Sequence, residues 1–322
     1  MMAYAQAKHI VDGLIPIIDI TPLRVGGDTK AVANALHDAS QGLGFIYIKG
    51  HGIPQAVINN ARDCAYQFFR SPEDKKNSVS VSNQHRGWLR QGRAKMHDDA
   101  KPDLKESFIW GGERNTENLA DDHTLRGQNQ WPSFIPTMQL SAMSYFAHAH
   151  DVAFNLMRGF ALGLDLDESF FLKSCTTPLS RMAYVYYPKQ LEEHGEQQFG
   201  VGPHTDFGVL TVLCQDSVGG LQIETLNGQW VHAPPIEGTL IINVADLLSR
   251  WTDGVYKSTP HRVVNSSGGE RLSLVFAFDP NPETVIDSQD VFGQSHISKE
   301  PPITCGDYLN WRFNKAFSYR NE

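Results

Sequence analysis

Residues 202–207 read GPHTDF, and an apolar run follows them as far as residue 213. Because residues two apart on a β-strand project from the same face, we expect His204 and Asp206 to present an imidazole and a carboxylate side by side. Taken alone this spacing is weak support for a metal site, since the chain has 13 histidines and short motifs specify ligands loosely. The segment therefore needs a third ligand from elsewhere in the chain.

The best candidate for that ligand is His261, which lies 55 positions after Asp206 in the segment TPHRV, residues 259–263. Two histidines and one carboxylate form a facial triad that leaves the opposite side of a metal open. That arrangement is typical of non-haem Fe(II) and oxygen chemistry. We therefore predict a catalytic metal site made of His204, Asp206 and His261.

A second polar pair, Arg271 and Ser273, follows His261 by ten and twelve positions within an otherwise apolar segment. Their spacing again places both side chains on one face of a strand. A guanidinium beside a hydroxyl binds a carboxylate well, because the pairing is bidentate and charge-assisted. An arginine that points into a barrel needs an anion, and we predict that a bound carboxylate supplies it.

The chain after residue 178 is typical of a β-rich core. We predict strands at Met182–Tyr187, Gly208–Leu213, Leu221–Glu224, Trp230–Ala233, Thr239–Val244 and Leu272–Phe278. Asn227-Gly228 predicts a tight hairpin between the third and fourth of them. Many short strands at this spacing favour a double-sheet jelly roll.

The first half of the chain mixes helices and strands. We predict an edge strand at 15–20, a helix capped by Asp28 or Thr29, a buried strand at 45–48, a helix opened by Pro54 and a long helix at 137–162. Residues 79–130 are polar and irregular, which predicts long loops with a strand at 107–110. The whole chain, 1–322, is predicted to be one domain, with an N-terminal helix, strand and loop region at 1–130 and an oxygenase core at 177–281.

Composition excludes several classes of function. A formal net charge of −8 without a basic run argues against nucleic-acid binding, so a small molecule is the expected partner. The four cysteines contain no C-x-x-C pair, which favours a reducing compartment. No segment approaches the roughly 20 apolar residues of a membrane span, and residues 1–14 lack the apolar stretch of a secretory signal. We expect a cytoplasmic protein with no membrane partner, and a monomer by default.

These motifs together resemble the iron(II)/2-oxoglutarate-dependent dioxygenases of the isopenicillin N synthase-like family. The resemblance is carried by His204-Thr205-Asp206, His261-Arg262-Val263, Arg271-Leu272-Ser273 and Tyr187-Pro188. It extends through residues 15–19, 44–53 and 251–254, and so covers nearly the whole chain.

The resemblance implies a distorted jelly roll, or double-stranded β-helix, with flanking α-helices and with iron near its open end. It also implies that 2-oxoglutarate chelates Fe(II) through its C1 carboxylate and C2 carbonyl, and that Arg271 and Ser273 bind its far carboxylate. Tyr187 matches a tyrosine that contacts the co-substrate, although Val185 stands where many members carry asparagine. The implied reaction consumes O₂, oxidises a small molecule and releases succinate and CO₂; hydroxylation, desaturation and ring closure are not separated by sequence.

Two alternatives stay open at this level. An oxidase similar to isopenicillin N synthase would use no 2-oxoglutarate, and Arg271 and Ser273 would then bind a carboxylate of the substrate. The segment 317–322 lacks the near-terminal glutamine ligand of that enzyme, which favours the 2-oxoglutarate reaction. A non-catalytic iron or 2-oxoglutarate sensor is the other alternative, but an intact triad with its Arg-Ser pair is not what a decayed site should retain.

Candidate substrate residues are Arg90, Arg93 and Lys105, from the irregular loops, and Phe207, which adjoins Asp206. Cationic groups at the mouth of the site favour an acidic or amino-acid-like substrate. Each of these cationic residues could equally be an ordinary surface charge, and Phe207 could equally be a packing residue of the core.

Overall fold

The computed structural model describes residue 7 and residues 14–94, 101–113, 123–189, 199–265 and 268–321. Its strands are β1 (Ile17–Asp19), β2 (Phe45–Lys49), β3 (Gly87–Leu89), β4 (Glu106–Gly111), β5 (Arg181–Tyr187), β6 (Val201–His204), β7 (Leu210–Gln215), β8 (Leu221–Glu224), β9 (Trp230–His232), β10 (Leu240–Val244), β11 (His261–Val263), β12 (Arg271–Phe278), β13 (Val285–Ile286) and β14 (Ile303–Thr304). Its α-helices are α1 (Thr21–Val25), α2 (Thr29–Gln41), α3 (Gln55–Phe69), α4 (Glu73–Asn77), α5 (Met138–Gly163), α6 (Asp246–Trp251), α7 (Gln289–Phe292) and α8 (Cys305–Ala316).

Two facing sheets form the jelly roll. The major sheet has the order β1-β2-β10-β7-β12-β5-β4-β3, and the minor sheet has the order β6-β11-β8-β9. Strand β12 lies between β7 and β5 and pairs antiparallel with both of them. The edge position of β1 agrees with the predicted edge strand, and the β8–β9 hairpin turns at Asn227-Gly228 as predicted, with Gly228 at φ 75°.

The pleat of the major sheet divides its side chains between two apolar layers. Alternate residues such as Leu274 of β12 and Tyr184 of β5 pack toward the helices, whereas Val185 and Ile241 face the minor sheet. Helix α5 covers the outer layer together with α2 and α3. The other layer, between the sheets, is where polar side chains of the core converge.

The helix boundaries follow local chemistry. The Asp28 side chain accepts a hydrogen bond from the Ala31 N–H at 2.9 Å and so caps α2, as expected. Pro54 occupies the N-cap of α3, where a missing N–H costs nothing. At α8, Thr304 caps the helix by accepting from the Asp307 N–H at 3.1 Å. Within the described ranges, no helix combines the length and the apolar character needed to cross a membrane.

The structure corrects two expectations. The described part of residues 79–130 contains two strands and not only the predicted one at 107–110. The additional strand, β3, pairs with β4 and extends the major sheet. Strand β6 ends at His204, so Asp206 does not share a strand with that histidine.

Candidate metal centre and co-substrate pocket

The three predicted metal ligands meet beside the β6–β11 edge of the minor sheet. His261 of β11 is the direct cross-strand partner of His204 in β6, and their ring centroids are 4.2 Å apart. The Oδ1 atom of Asp206 lies 3.6 Å from Nε2 of His204 and 3.7 Å from Nε2 of His261. One donor atom from each residue therefore falls within 4.8 Å of the other two, which is the spacing of a metal site.

Asp206 reaches this point from a loop rather than from a strand. The N–H of Asp246 donates to its carbonyl at 2.9 Å, and the N–H of Leu247 donates to the carbonyl of Gly208 at 2.8 Å. The first turn of α6 thus holds the segment that carries the carboxylate. Glycine is required at 208, because a Cβ there would collide with a carboxylate oxygen of the buried Asp279.

Backbone carbonyls fix the tautomers of both histidines. Nδ1 of His204 lies 2.8 Å from the carbonyl of Gly202, and Nδ1 of His261 lies 3.2 Å from the carbonyl of Thr259. Since a carbonyl only accepts hydrogen bonds, each Nδ1 carries the proton. The lone pair of each Nε2 is then directed at the point where the three side chains meet, as in metal-binding histidines generally.

Asn243 orients the carboxylate, a role that the sequence reasoning missed. Its Nδ2 donates to Oδ2 of Asp206 at 2.8 Å, which leaves Oδ1 for the side that faces the imidazoles. Burial would raise the pKa of Asp206, but the neighbouring His261 and His204 and hydrogen bonds from Thr211 and Asn243 hold it below its ordinary value. Burial also lowers the pKa of His204 to about 3. At neutral pH the site therefore presents an ionised carboxylate and, at His204, a neutral imidazole.

The predicted carboxylate site lies at the start of β12. Arg271 and Ser273 are each 1% exposed, and Arg271 stands opposite Tyr187 in the β5–β12 register. The guanidinium carbon is 4.6 Å from the centre of the Tyr187 ring, and burial raises the pKa of that phenol to about 12. Nε of Arg271 donates to the carbonyl of Gly219.

Two atoms of this pair have no hydrogen-bond partner among the described residues: Nη1 of Arg271 and Oγ of Ser273. A buried guanidinium nitrogen without an acceptor is costly, because it has lost water and gained nothing in return. No carboxylate of the described chain forms an ion pair with Arg271. The chemistry of the site suits an added carboxylate.

A cavity of about 150 Å³ opens beside His204 and Asp206. Of the predicted substrate residues, Lys105 and Phe207 line it. Arg90 instead pairs with Glu73 at 2.6 Å in a separate depression, and Arg93 is exposed on the neighbouring turn. The structure thus brings two of the four candidates to the metal centre.

Helix α8 supplies further residues that the sequence reasoning missed. Phe313 and Phe317, from the helix and its C-cap, line the cavity. Arg312 lies over the Phe207 ring at 4.1 Å and pairs with Asp246 at 3.1 Å. Nothing in the local sequence pattern indicates that this helix packs beside His204 and Asp206.

Comparisons with known proteins agree with this geometry. The 2OG-Fe(II) oxygenase superfamily matches residues 177–280, and the non-haem dioxygenase N-terminal family, described from morphine synthesis, matches residues 15–134. The 2-oxoglutarate-Fe(II) type oxidoreductase hxnY of Emericella nidulans is 32% identical, over 94% of this chain and 90% of that protein. A homoarginine-6-hydroxylase of Glycine max is 32% identical, over 86% of this chain and 88% of its own. A full-length Neurospora crassa protein, solved in complex with alpha-KG and thymine, superposes with a TM-score of 0.84 at 29% identity and covers 96% of this chain and 99% of its own.

Proposed function

The chain belongs to the 2OG-Fe(II) oxygenase superfamily, and from this membership we propose that His204, Asp206 and His261 bind the iron while Arg271 and Ser273 bind 2-oxoglutarate. The protein is an oxidoreductase that uses Fe(II) and 2-oxoglutarate to oxidise a small molecule. One observation carries the assignment of roles: two Nε2 atoms and one carboxylate oxygen converge within 4.8 Å.

The donor set fits Fe(II). Two imidazole nitrogens and one carboxylate oxygen occupy one face of a metal and leave the remaining positions for exchangeable ligands. The carbonyls of Gly202 and Thr259 and the amide of Asn243 hold the three side chains in place before the metal binds. Preorganisation of this kind raises metal affinity, because the ligands lose little freedom on binding.

The residues of β12 fit the far carboxylate of 2-oxoglutarate. Nη1 of Arg271 and Oγ of Ser273 are buried and lack partners within the described chain, so a carboxylate would satisfy both. We propose that Tyr187, packed against the Arg271 guanidinium, contacts the same co-substrate. With iron and 2-oxoglutarate bound, O₂ would be the oxidant: it would take two electrons from 2-oxoglutarate, which leaves as succinate and CO₂, and two from the prime substrate.

We propose that the prime substrate occupies the cavity beside His204 and Asp206 and that it is acidic or amino-acid-like. Lys105 supports this proposal, because it is the predicted cationic substrate residue that lines the cavity. Phe207 would form part of the wall that keeps water from the metal. The single-domain organisation, a cytoplasmic location and a monomeric state stay predictions.

Anaerobic titration tests the proposed roles. Addition of Fe(II) and then 2-oxoglutarate should produce a visible charge-transfer band in the wild-type protein. Arg271→Ala should lose the band at wild-type 2-oxoglutarate concentrations, whereas Arg90→Ala, which removes an exposed arginine outside the cavity, should keep it. An Arg271→Ala protein that forms the band at wild-type affinity would contradict the co-substrate site. Absence of the band in wild type would favour the oxidase alternative.

A further inference from the structure

Two cationic side chains line the substrate cavity beside the proposed metal ligands. Lys105 and Arg181 both reach it, with side chains 13% and 15% exposed. Their carboxylate partners, Asp103 and Asp279, are 2% and 0% exposed and do not line the cavity. Among the described residues that line this space, the only carboxylate is the metal-site Asp206. A molecule in the cavity would therefore contact the N–H donors of Lys105 and Arg181 but not the carboxylates that pair with them.

Lys105 has the weaker ion pair of the two cations. Arg181 donates directly to Asp279 through Nη1 and lies 4.7 Å from the centre of the Phe313 ring. The Nζ atom of Lys105, by contrast, is 3.5 Å from Oδ2 of Asp103, longer than a good charge-assisted hydrogen bond. The other oxygen of Asp103 is occupied by the N–H of Gly202 at 3.0 Å. The ammonium group thus retains donors for a stronger acceptor.

His85 lies close to both cations. Its ring lines the cavity and stacks on Phe313 with centroids 4.6 Å apart. Burial, then the charges of Arg181, Arg86, Arg320 and Lys105, hold the pKa of His85 well below its ordinary value. The imidazole is therefore neutral at pH 7 and adds a polar but uncharged group to the cationic wall.

Most of the remaining lining residues are apolar. Phe207, Phe313 and Phe317 form one contacting aromatic group in this lining. Small aliphatic residues of the paired strands β5 and β12 form a second group: Ala183, Val185, Val275 and Ala277. Arg312 packs on Phe207 at 4.1 Å and helps to hold that ring in place. A cavity of about 150 Å³ has room for a single benzene ring. The part of a substrate that enters this space is limited to about that size.

We propose that the prime substrate is a compact anion, with a ring-sized apolar body against the phenylalanines and the small aliphatic residues and with a carboxylate held by Lys105. This inference rests on the proposed function and narrows its substrate class. Lys105 acts as a specificity-determining residue, because a charge-assisted hydrogen bond to a carboxylate replaces its long contact with Asp103. Arg181 adds positive potential from the same wall.

The test uses three probes of similar shape: benzoate, benzamide and benzylamine, with charges of −1, 0 and +1. Each is titrated calorimetrically into anaerobic protein loaded with Fe(II) and saturating 2-oxoglutarate, whose visible band is followed throughout. We expect benzoate to bind at least about tenfold more tightly than benzamide, because one hydrogen bond to a charged group contributes a free energy that corresponds to such a ratio of affinities. Benzylamine should bind most weakly.

Four variants separate recognition from structure. Lys105→Gln should abolish the preference for benzoate, and Lys105→Arg should retain it. Asp103→Asn should strengthen benzoate binding several-fold, because Lys105 loses its competing acceptor while the Gly202 N–H keeps an oxygen partner. Lys173→Gln, at a side chain 66% exposed, is the matched control and should leave all affinities unchanged. Thermal melting confirms that each variant is folded.

Several results would overturn the inference. These are equal binding of the three probes, preference for benzamide or benzylamine, binding of none of them, or displacement of 2-oxoglutarate by benzoate. Equal losses in Lys105→Gln and Asp103→Asn would show that the pair is purely structural. Failure of the visible band to form in wild type would instead contradict the proposed function, so the two failures are distinguishable.

Discussion

Replacement of Asn243 by alanine tests how the metal ligands are held. The substitution removes a 2.8 Å hydrogen bond to Oδ2 of Asp206 from a residue that is 3% exposed. A buried hydrogen bond to a charged group contributes about 1.5–3 kcal/mol. Loss of a residue that orients a metal ligand typically lowers metal affinity about 10- to 100-fold, or roughly 1.4–2.7 kcal/mol. We therefore expect the Kd for Mn(II), used as an oxygen-stable substitute for Fe(II), to rise by a factor in that range.

The same substitution has a pH signature. Asn243 is one of the groups that keep the pKa of Asp206 below its ordinary value, so its removal raises that pKa. Metal binding needs the ionised carboxylate and is lost as the pH falls through the pKa. In the wild type this loss should begin only below about pH 4, because the pKa of Asp206 lies under its ordinary value, and in Asn243→Ala it should begin at a higher pH.

Isothermal titration with Mn(II) between pH 4 and pH 7 measures both effects. Asn155→Ala is the control, because Asn155 is a half-buried residue of α5 whose side chain, among the described residues, hydrogen-bonds to Asp151 and Arg158 of the same helix. A folded Asn243→Ala protein whose Kd stays within about twofold of wild type at every pH would refute the reasoning, since one full hydrogen bond corresponds to about tenfold.

Three further predictions address other parts of the site. Arg271→Lys should raise the 2-oxoglutarate concentration needed for half-maximal band formation by about 10- to 100-fold, because an ammonium lacks the planar fork that binds a carboxylate; an unchanged titration would refute a bidentate contact. Arg312→Ala should lower the melting temperature and the Mn(II) affinity together, since it removes the contacts to Phe207 and Asp246; Lys315→Ala on the same helix, which contacts Trp311 instead, should change only the melting temperature. In EDTA, the free energy of unfolding should fall as the pH drops from about 6.5 to 5, because His85 and His204 are held neutral in the fold and bind protons once unfolded. Each contributes a slope of up to about 1.4 kcal/mol per pH unit, so His85→Gln should flatten the urea-denaturation profile, and an unaltered slope would contradict the assigned protonation.

The parts of the fold that sequence predicts well are those encoded locally. The β8–β9 hairpin follows from Asn227-Gly228, and the start of α2 follows from the side chain of Asp28. The β12 strand alternates between an apolar face and the polar pair Arg271 and Ser273, which the pleat then places together.

The candidate site is predictable from sequence where the metal chemistry requires ligands at a fixed spacing along the chain. The separation of His204 and Asp206 indicated their proximity, although the strand geometry invoked for it was wrong for Asp206. The carboxylate is placed by α6, through the backbone of Asp246 and Leu247. That contact joins segments about forty residues apart in the chain, and no local pattern contains it.

The rest depends on tertiary packing. Asn243 lies within an apolar strand, where a buried polar residue signals an unknown partner, but only the fold identifies that partner as Asp206. Arg90 and Lys105 are equally plausible as cationic loop residues in the sequence. The structure separates them because Arg90 pairs with Glu73, whereas Lys105 points into the cavity.

A crystal structure of the protein with Mn(II) and 2-oxoglutarate, grown without oxygen, tests the central proposal most directly. Anomalous scattering should place the metal in contact with Nε2 of His204, Oδ1 of Asp206 and Nε2 of His261. The far carboxylate of 2-oxoglutarate should hydrogen-bond to Nη1 of Arg271 and Oγ of Ser273. A metal bound elsewhere, or a co-substrate carboxylate remote from Arg271, would contradict the account.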